Sequence, residues 1–183
     1  MRALDRDIRQ VIDELRVAPE THVEDLAGPA PYARHEFAGD PMLYVTRYCS
    51  TEPSSITAAL NDAARTLDQR FAALGLEPPD AVVVVYRNRL PESLTVDVGY
   101  VLPAGLPLAP EADLQAGRTP GGVMLSAPAP RGMRDLLGTH DRLIEEAGRQ
   151  GLAPGNFAWQ RFPYSAIRIQ PMRRPGPLYI PVS

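Results

Sequence analysis

Residues 54–86 reappear 76 positions later as residues 130–162, and this internal duplication limits the folds open to the chain more than any other feature. Leu60 falls on Leu136, Leu67 on Leu143, Gly75-Leu76 on Gly151-Leu152, Pro78 on Pro154 and Tyr86 on Phe162. Both copies run from an amphipathic stretch through G-L-x-P into a strand closed by an aromatic residue. The matched positions are those where a helix packs and where it stops. A solenoid needs at least about three stacked units, so two copies predict one pseudo-symmetric domain with a cleft where its halves meet.

Hydrophobic periodicity supplies the elements. Residues 42–49 (M-L-Y-V-T-R-Y-C) are β-branched and aromatic and predict a strand. Thr51 or Ser54 is placed to cap a helix whose apolar face is Ile56, Leu60, Ala64, Leu67, Phe71 and Leu74, with Gly75 in the left-handed stop position. Strands at 81–86 (A-V-V-V-V-Y) and 94–102 complete a β-α-β-β unit. A strand at 122–127 (G-V-M-L-S-A) opens the second unit. Its helix carries Met133, Leu136, Leu137, Leu143, Ile144 and Ala147 on the apolar face, and strands follow at 156–162 and 178–182.

The expectation is an α+β fold of two pseudo-symmetric β-α-β-β repeats, an antiparallel sheet with two helices on one face and a ligand groove between the repeats. Repeat one spans 42–103, a Pro- and Gly-dense linker 104–120, and repeat two 121–183. Residues 3–17 read as an amphipathic helix and 20–41 as a wrapping connection. The N-terminal part, 1–41, is thus expected to cover the core or to pair with a second copy as a homodimer contact.

Several function classes are excluded by what the chain lacks. A net charge of −3 and a pI near 5.6 give no basic footprint for direct nucleic-acid binding. No apolar run reaches the roughly 20 residues of a membrane span, and the N-terminus lacks the order of a signal peptide, so a cytoplasmic protein is expected. The single cysteine, Cys49, forms no intramolecular disulfide and no C-x-x-C motif. His22, His35 and His140 lack zinc spacing, so neither a metal nor a cofactor is expected. Ser126 sits in L-S-A-P rather than a nucleophile elbow, and Gly121-Gly122 precedes a strand rather than the helix of a phosphate loop. His140, on the apolar face of the second helix, reads as a hydrogen-bonded core histidine, with a general base facing the cleft as the alternative.

The strand after the second G-L-x-P carries the candidate site. Strand side chains alternate, so Ala158, Gln160 and Phe162 share one face and Phe157, Trp159 and Arg161 the other. Trp159 is expected to pack beneath the second helix, leaving Gln160 and Phe162 toward an open face, with Val84 and Tyr86 at the matching positions of the first repeat.

The stretch 42–182 carries, in order, Y-V-T-R-Y, the helix ending G-L-E-P, V-V-V-V-Y, V-D-V-G-Y-V, the turn P-R-G, G-L-A-P, W-Q-R-F and Y-I-P-V. In these pieces it resembles the gyrase-inhibitor-like (GyrI-like) small-molecule-binding superfamily, which includes effector-binding domains of MerR- and AraC-type multidrug regulators. The resemblance implies an aromatic, often cationic, ligand between the repeats, and some members look like hydrolases of strained rings. One departure stands out: where the family pattern carries Glu followed two residues on by Tyr, this chain has Gln160 and Phe162. The tyrosine usual after the helix-start glycine is missing as well, since Gly132 is followed by Met133 and Arg134. An amide cannot pair with a cation as a carboxylate does, but it donates and accepts hydrogen bonds to a neutral ligand.

The sequence thus predicts a protein that holds an aromatic or polycyclic small molecule, with no catalytic residue assigned. The ligand-binding candidates are Tyr44, Tyr48, Tyr86, Asp97, Met124, Trp159, Gln160 and Phe162. The alternatives are a hydrolase of the same fold, using Asp97, His140 or a tyrosine, and a gyrase-inhibitor-type interaction module.

Overall fold

Apolar strands of even alternation and two amphipathic segments fold as the periodicity requires. A computed structural model describes residues 31–77, 79, 81–103, 113–164 and 176–183. The expected N-terminal helix and residues 104–112 of the expected linker lie outside them. In chain order the elements are β1 (Ala33–Phe37), β2 (Pro41–Ser50), α1 (Pro53–Ala73), β3 (Ala81–Arg87), β4 (Ser93–Val101), β5 (Gln115–Arg118), β6 (Gly122–Ala127), α2 (Met133–Arg149), β7 (Phe157–Pro163) and β8 (Leu178–Pro181).

Helix α1 opens on Pro53, whose fixed φ and missing N–H suit the first turn. Neither Thr51 nor Ser54 caps it: the N-cap is Glu52, without a side-chain bond, and Thr51 donates to the Pro91 carbonyl instead. The expected apolar face is buried from Ile56 to Phe71, while Leu74 lies at the C-cap and is exposed. Both helices stop in the same way. Gly75 and Gly151 adopt left-handed φ of 66° and 69°, and the next amides, of Leu76 and Leu152, close on Phe71 and Ala147.

The strands form one antiparallel, curled sheet in the order β1-β6-β8-β7-β3-β4-β2-β5. In the central ladder Val82 faces Phe162, Val84 faces Gln160 and Tyr86 faces Ala158. Because positions 76 apart correspond, exchanging the repeats swaps the outer two pairs and maps Val84–Gln160 onto itself. The pseudo-twofold axis therefore passes through that pair.

Strands β1 and β5 fall in stretches where the sequence predicted connections, and pairing across the repeats explains why. Moving eight residues along from Ala33 to Pro41 moves the partner back eight, from Ser126 to Arg118. The β1–β6 and β2–β5 pairs thus share one register and form a single bent ribbon. Each repeat lends its leading strand to the other. At the bend Asp40 N donates to Thr119 Oγ1 and Thr119 N to the Asp40 carbonyl. Gly39, at φ 76°, is required there, since a Cβ would stand 2.9 Å from the Thr119 carbonyl oxygen. These strands are short, polar and mostly exposed (A-R-H-E-F and Q-A-G-R), so they carry little of the signal by which strands are read.

Both helices cover one face, where Leu43, Val84, Val98, Leu125, Phe162 and Ile180 meet Leu60, Leu67, Leu136 and Leu143. A smaller cluster on the opposite face holds Val83, Val85, Met124 and Trp159. No helix among the described residues is long and apolar enough to cross a membrane.

Candidate functional site

Alternation along β3 and β7 decides what reaches each face, and it corrects the expected orientation. Trp159 does not pack beneath α2; it belongs to the opposite cluster with Val83, Val85 and Met124. Tyr86, Gln160 and Phe162 point to the helices. The reason lies in the neighbouring strand: Val82, Val84 and Tyr86 already form the helix-side row of β3, and the ladder puts Phe162, Gln160 and Ala158 beside them.

Gln160, on the pseudo-twofold axis, is wholly buried, and both ends of its amide are engaged. Tyr86 Oη donates to its Oε1 at 3.1 Å, and Nε2 donates to the Gly176 carbonyl at 3.0 Å. Burial holds the Tyr86 phenol far above its ordinary pKa, with Cys49 a smaller contribution, so it remains a donor rather than a base. Its counterpart Val84, directly across the ladder, is equally buried.

The other candidates lie on the far face. Asp97 is buried there with both oxygens occupied, by Thr46 Oγ1 at 2.7 Å and the Arg87 guanidinium at 2.5 Å. Trp159 stacks on Tyr179 with centroids 4.7 Å apart and meets Phe37 of β1 edge-on at 4.9 Å, while its Nε1 is buried without a partner. Tyr44 rests on Gly117, where a Cβ would stand 2.9 Å from the ring. Tyr48 is 84% exposed. The eight candidates therefore form two groups on opposite faces: Tyr86, Gln160 and Phe162 toward the helices, and Tyr44, Tyr48, Asp97, Met124 and Trp159 away from them.

Between the helix N-termini both repeats contribute to a shallow groove of about 630 Å³, with Ser54, Thr57 and Asn61 on one side and Arg131, Met133 and Arg134 on the other. None of the eight candidates lines it. The sequence had marked Met133 as part of the helix's apolar face and, with Arg134, as a departure from the family pattern, but neither as a binding residue, so the groove walls were missed.

Catalytic pairings are not assembled among the described residues. Ser126 Oγ lies 2.9 Å from His35 Nε2, but no carboxylate bonds to that histidine, and Ser126 also donates to the Ala33 carbonyl. Burial raises the Cys49 thiol pKa, which opposes thiolate formation. No group of three His, Cys, Asp or Glu side chains suited to a metal occurs among the described residues.

His140 joins the repeats. Arg89, in the β3–β4 turn, donates to its Nδ1 at 3.1 Å and grips Asp141 at 2.6 and 3.1 Å. That assigns the imidazole proton to Nε2, which is buried without a partner. Burial, and then the Arg89 charge, push its pKa below 6.5, with Asp141 opposing. A depressed pKa gives stability that is fully present above the unfolded value of 6.5 and is lost as pH falls from there through the lower folded value. His140→Gln is therefore expected to flatten the acid side of the stability profile; an unchanged difference between urea midpoints at pH 7.5 and 5.5 would contradict the buried neutral imidazole.

The elements and axis define a pseudo-symmetric α+β domain of two interlocked repeats. No family model matches the chain, and no curated protein does. Its fold is similar to that of EcmrR, solved by cryo-electron microscopy in a complex with DNA: TM-score 0.60 and 14% identity, covering 98% of this chain and 68% of that one. It is also similar to two crystal structures from Listeria innocua, one described as a hydrolase (TM-score 0.54) and one as an uncharacterized conserved protein (TM-score 0.56). Each is 11% identical and covers 87% of this chain and at least 95% of its own. At such identity these likenesses show the fold alone.

Proposed function

We propose that the chain binds an aromatic or polycyclic small molecule between its two repeats, with Gln160 fixing the orientation and Tyr86 and Phe162 offering ring surface. The observation that carries this reading is the asymmetry on the axis. Burying an amide costs free energy unless every donor and acceptor is paired, and the equivalent Val84 fills its place with no polar group. Packing alone therefore does not call for Gln160. A groove between the helix N-termini opens on the helix side; for a ligand to reach Gln160 the helices must part and the ligand must replace the Gly176 carbonyl as a partner of the amide. An uncharged amide favours a neutral ligand or one whose charge stays outside. The likeness to EcmrR, a MerR-family regulator, supports sensing as the purpose, with sequestration or resistance served by the same binding.

The sole tryptophan, Trp159, is next to Gln160 in β7 with its ring on the opposite face of the sheet, near enough for energy transfer to a dye bound at the site. Titration with neutral polycyclic dyes is expected to quench its fluorescence saturably, and Gln160→Ala to weaken binding at least tenfold, roughly the 1.4 kcal/mol of one good hydrogen bond. Quenching by no dye, or an unaffected variant, would remove this reading. Product seen by mass spectrometry would assign the site to a hydrolase instead.

A further inference from the structure

The duplication exposes a second difference between the repeats. In repeat two the loop after α2 is zipped to the end of β8: Gly155 N donates to the Pro181 carbonyl at 2.8 Å, and Ala153 and Ser183 exchange bonds at 2.9 and 3.1 Å. Pro154 and Val182 are bridge partners there. The contact is close enough to demand glycine, since a Cβ on Gly155 would lie 2.3 Å from the Pro181 ring.

Repeat one has the same two segments but cannot close them. Gly155 corresponds to Pro79, which has no N–H to donate and a ring where no Cβ fits. Trp159 pairs with Tyr179 and its counterpart Val83 with Gly99, so Pro181 corresponds to Val101 and Ser183 to Pro103, which again lacks the donor. Two of the three bonds are chemically impossible. In place of the zipper the structure has a pocket of about 580 Å³, walled by Phe71, Leu76, Pro79, Val101 and Leu102. Arg161 of β7, from the other repeat, also lines it; its charge acts on the Tyr179 phenol, but no hydrogen bond or ion pair engages its side chain among the described residues. Its counterpart beside the closed loop is Val85, which is uncharged.

We infer that this pocket is a ligand site separate from the groove between the helices, taking a small apolar molecule with a single carboxylate that Arg161 receives. The volume lies within the range of ligand pockets, and a guanidinium offers the paired donors a carboxylate accepts. Glu77 also lines the pocket, so its charge limits the ligand to one carboxylate, held at Arg161. A strand residue holds the cation, so its position is set by the sheet rather than by a loop.

Competition against 1-anilinonaphthalene-8-sulfonate fluorescence tests the assignment. Decanoate is expected to displace the dye from the full chain at least tenfold better than decanol does. Arg161→Gln abolishes that preference, Arg161→Lys restores part of it, and Gln160→Ala leaves it unchanged, which separates this pocket from the axial site. Pro79→Gly with Pro103→Ser returns the missing donors and is expected to lower decanoate affinity. Equal displacement by decanoate and decanol, a preference surviving Arg161→Gln, or full decanoate affinity in the double variant would each overturn the inference.

Discussion

Gln160→Glu is expected to match the parent protein near pH 4 and to lose about 3–4 kcal/mol of stability by pH 7. A protonated glutamic acid reproduces the amide's geometry: its carbonyl accepts from Tyr86 and its hydroxyl donates to the Gly176 carbonyl. Ionisation removes that donor, sets oxygen against oxygen and places a charge where no solvent reaches. Burial therefore raises the folded-state pKa above the ordinary value of about 4.3. A raised value means no penalty below the unfolded pKa and a loss of about 1.4 kcal/mol per pH unit above it, until the folded pKa is reached. Urea midpoints of both proteins at pH 5 and pH 7 decide the matter; an equal deficit at both would show that the carboxyl escapes burial. In the proposed binding mode a cationic polycyclic ligand relieves the deficit at pH 7, because it supplies the missing counter-charge.

Trp159→Ala is expected to cost about 3–5 kcal/mol, the range for deleting a large buried aromatic side chain. The indole is 3% exposed and joins β7 to β8 through its stack on Tyr179 and to β1 through Phe37. Its loss opens a cavity where the leading strand of repeat one lies against repeat two. Trp159→Phe is expected to cost far less, because it keeps a ring and removes an N–H that is buried without a partner. Chemical unfolding followed by circular dichroism separates the two. An alanine variant within 1 kcal/mol of the parent would contradict the packing role of this face.

The central fold was legible because its signals are local and repeated. Helix faces such as Leu60 and Leu67, and the left-handed stops at Gly75 and Gly151, recur at matching positions, and a continuous apolar run marks β3. The leading strands were not legible. Residues 33–37 and 115–118 owe their strand structure to partners about 80 residues away, and nothing in their own composition announces it. The site divided in the same manner. Duplication pointed to Val84 and Gln160 as the asymmetric pair, and the ladder places them face to face. Which face they take depends on the β3 row they join, and alternation within β7 alone leaves two choices. Trp159, the larger apolar side chain, suggested the wrong one.

The bent ribbon has a consequence for how the molecule comes to be folded. Among the described residues, 33–37 pair only with 122–126 and 41–44 gain 115–118 as a second neighbour beside β4, so up to about half of the chain lies inside the loop that this pairing closes. Closing it costs chain entropy before any ladder bond is gained, whereas the helix-strand contacts within a repeat close short loops. The seam therefore belongs to the late, slow part of folding. Until it forms, each half presents an unfilled sheet edge shaped for the other half, and a second molecule's half offers the same fit.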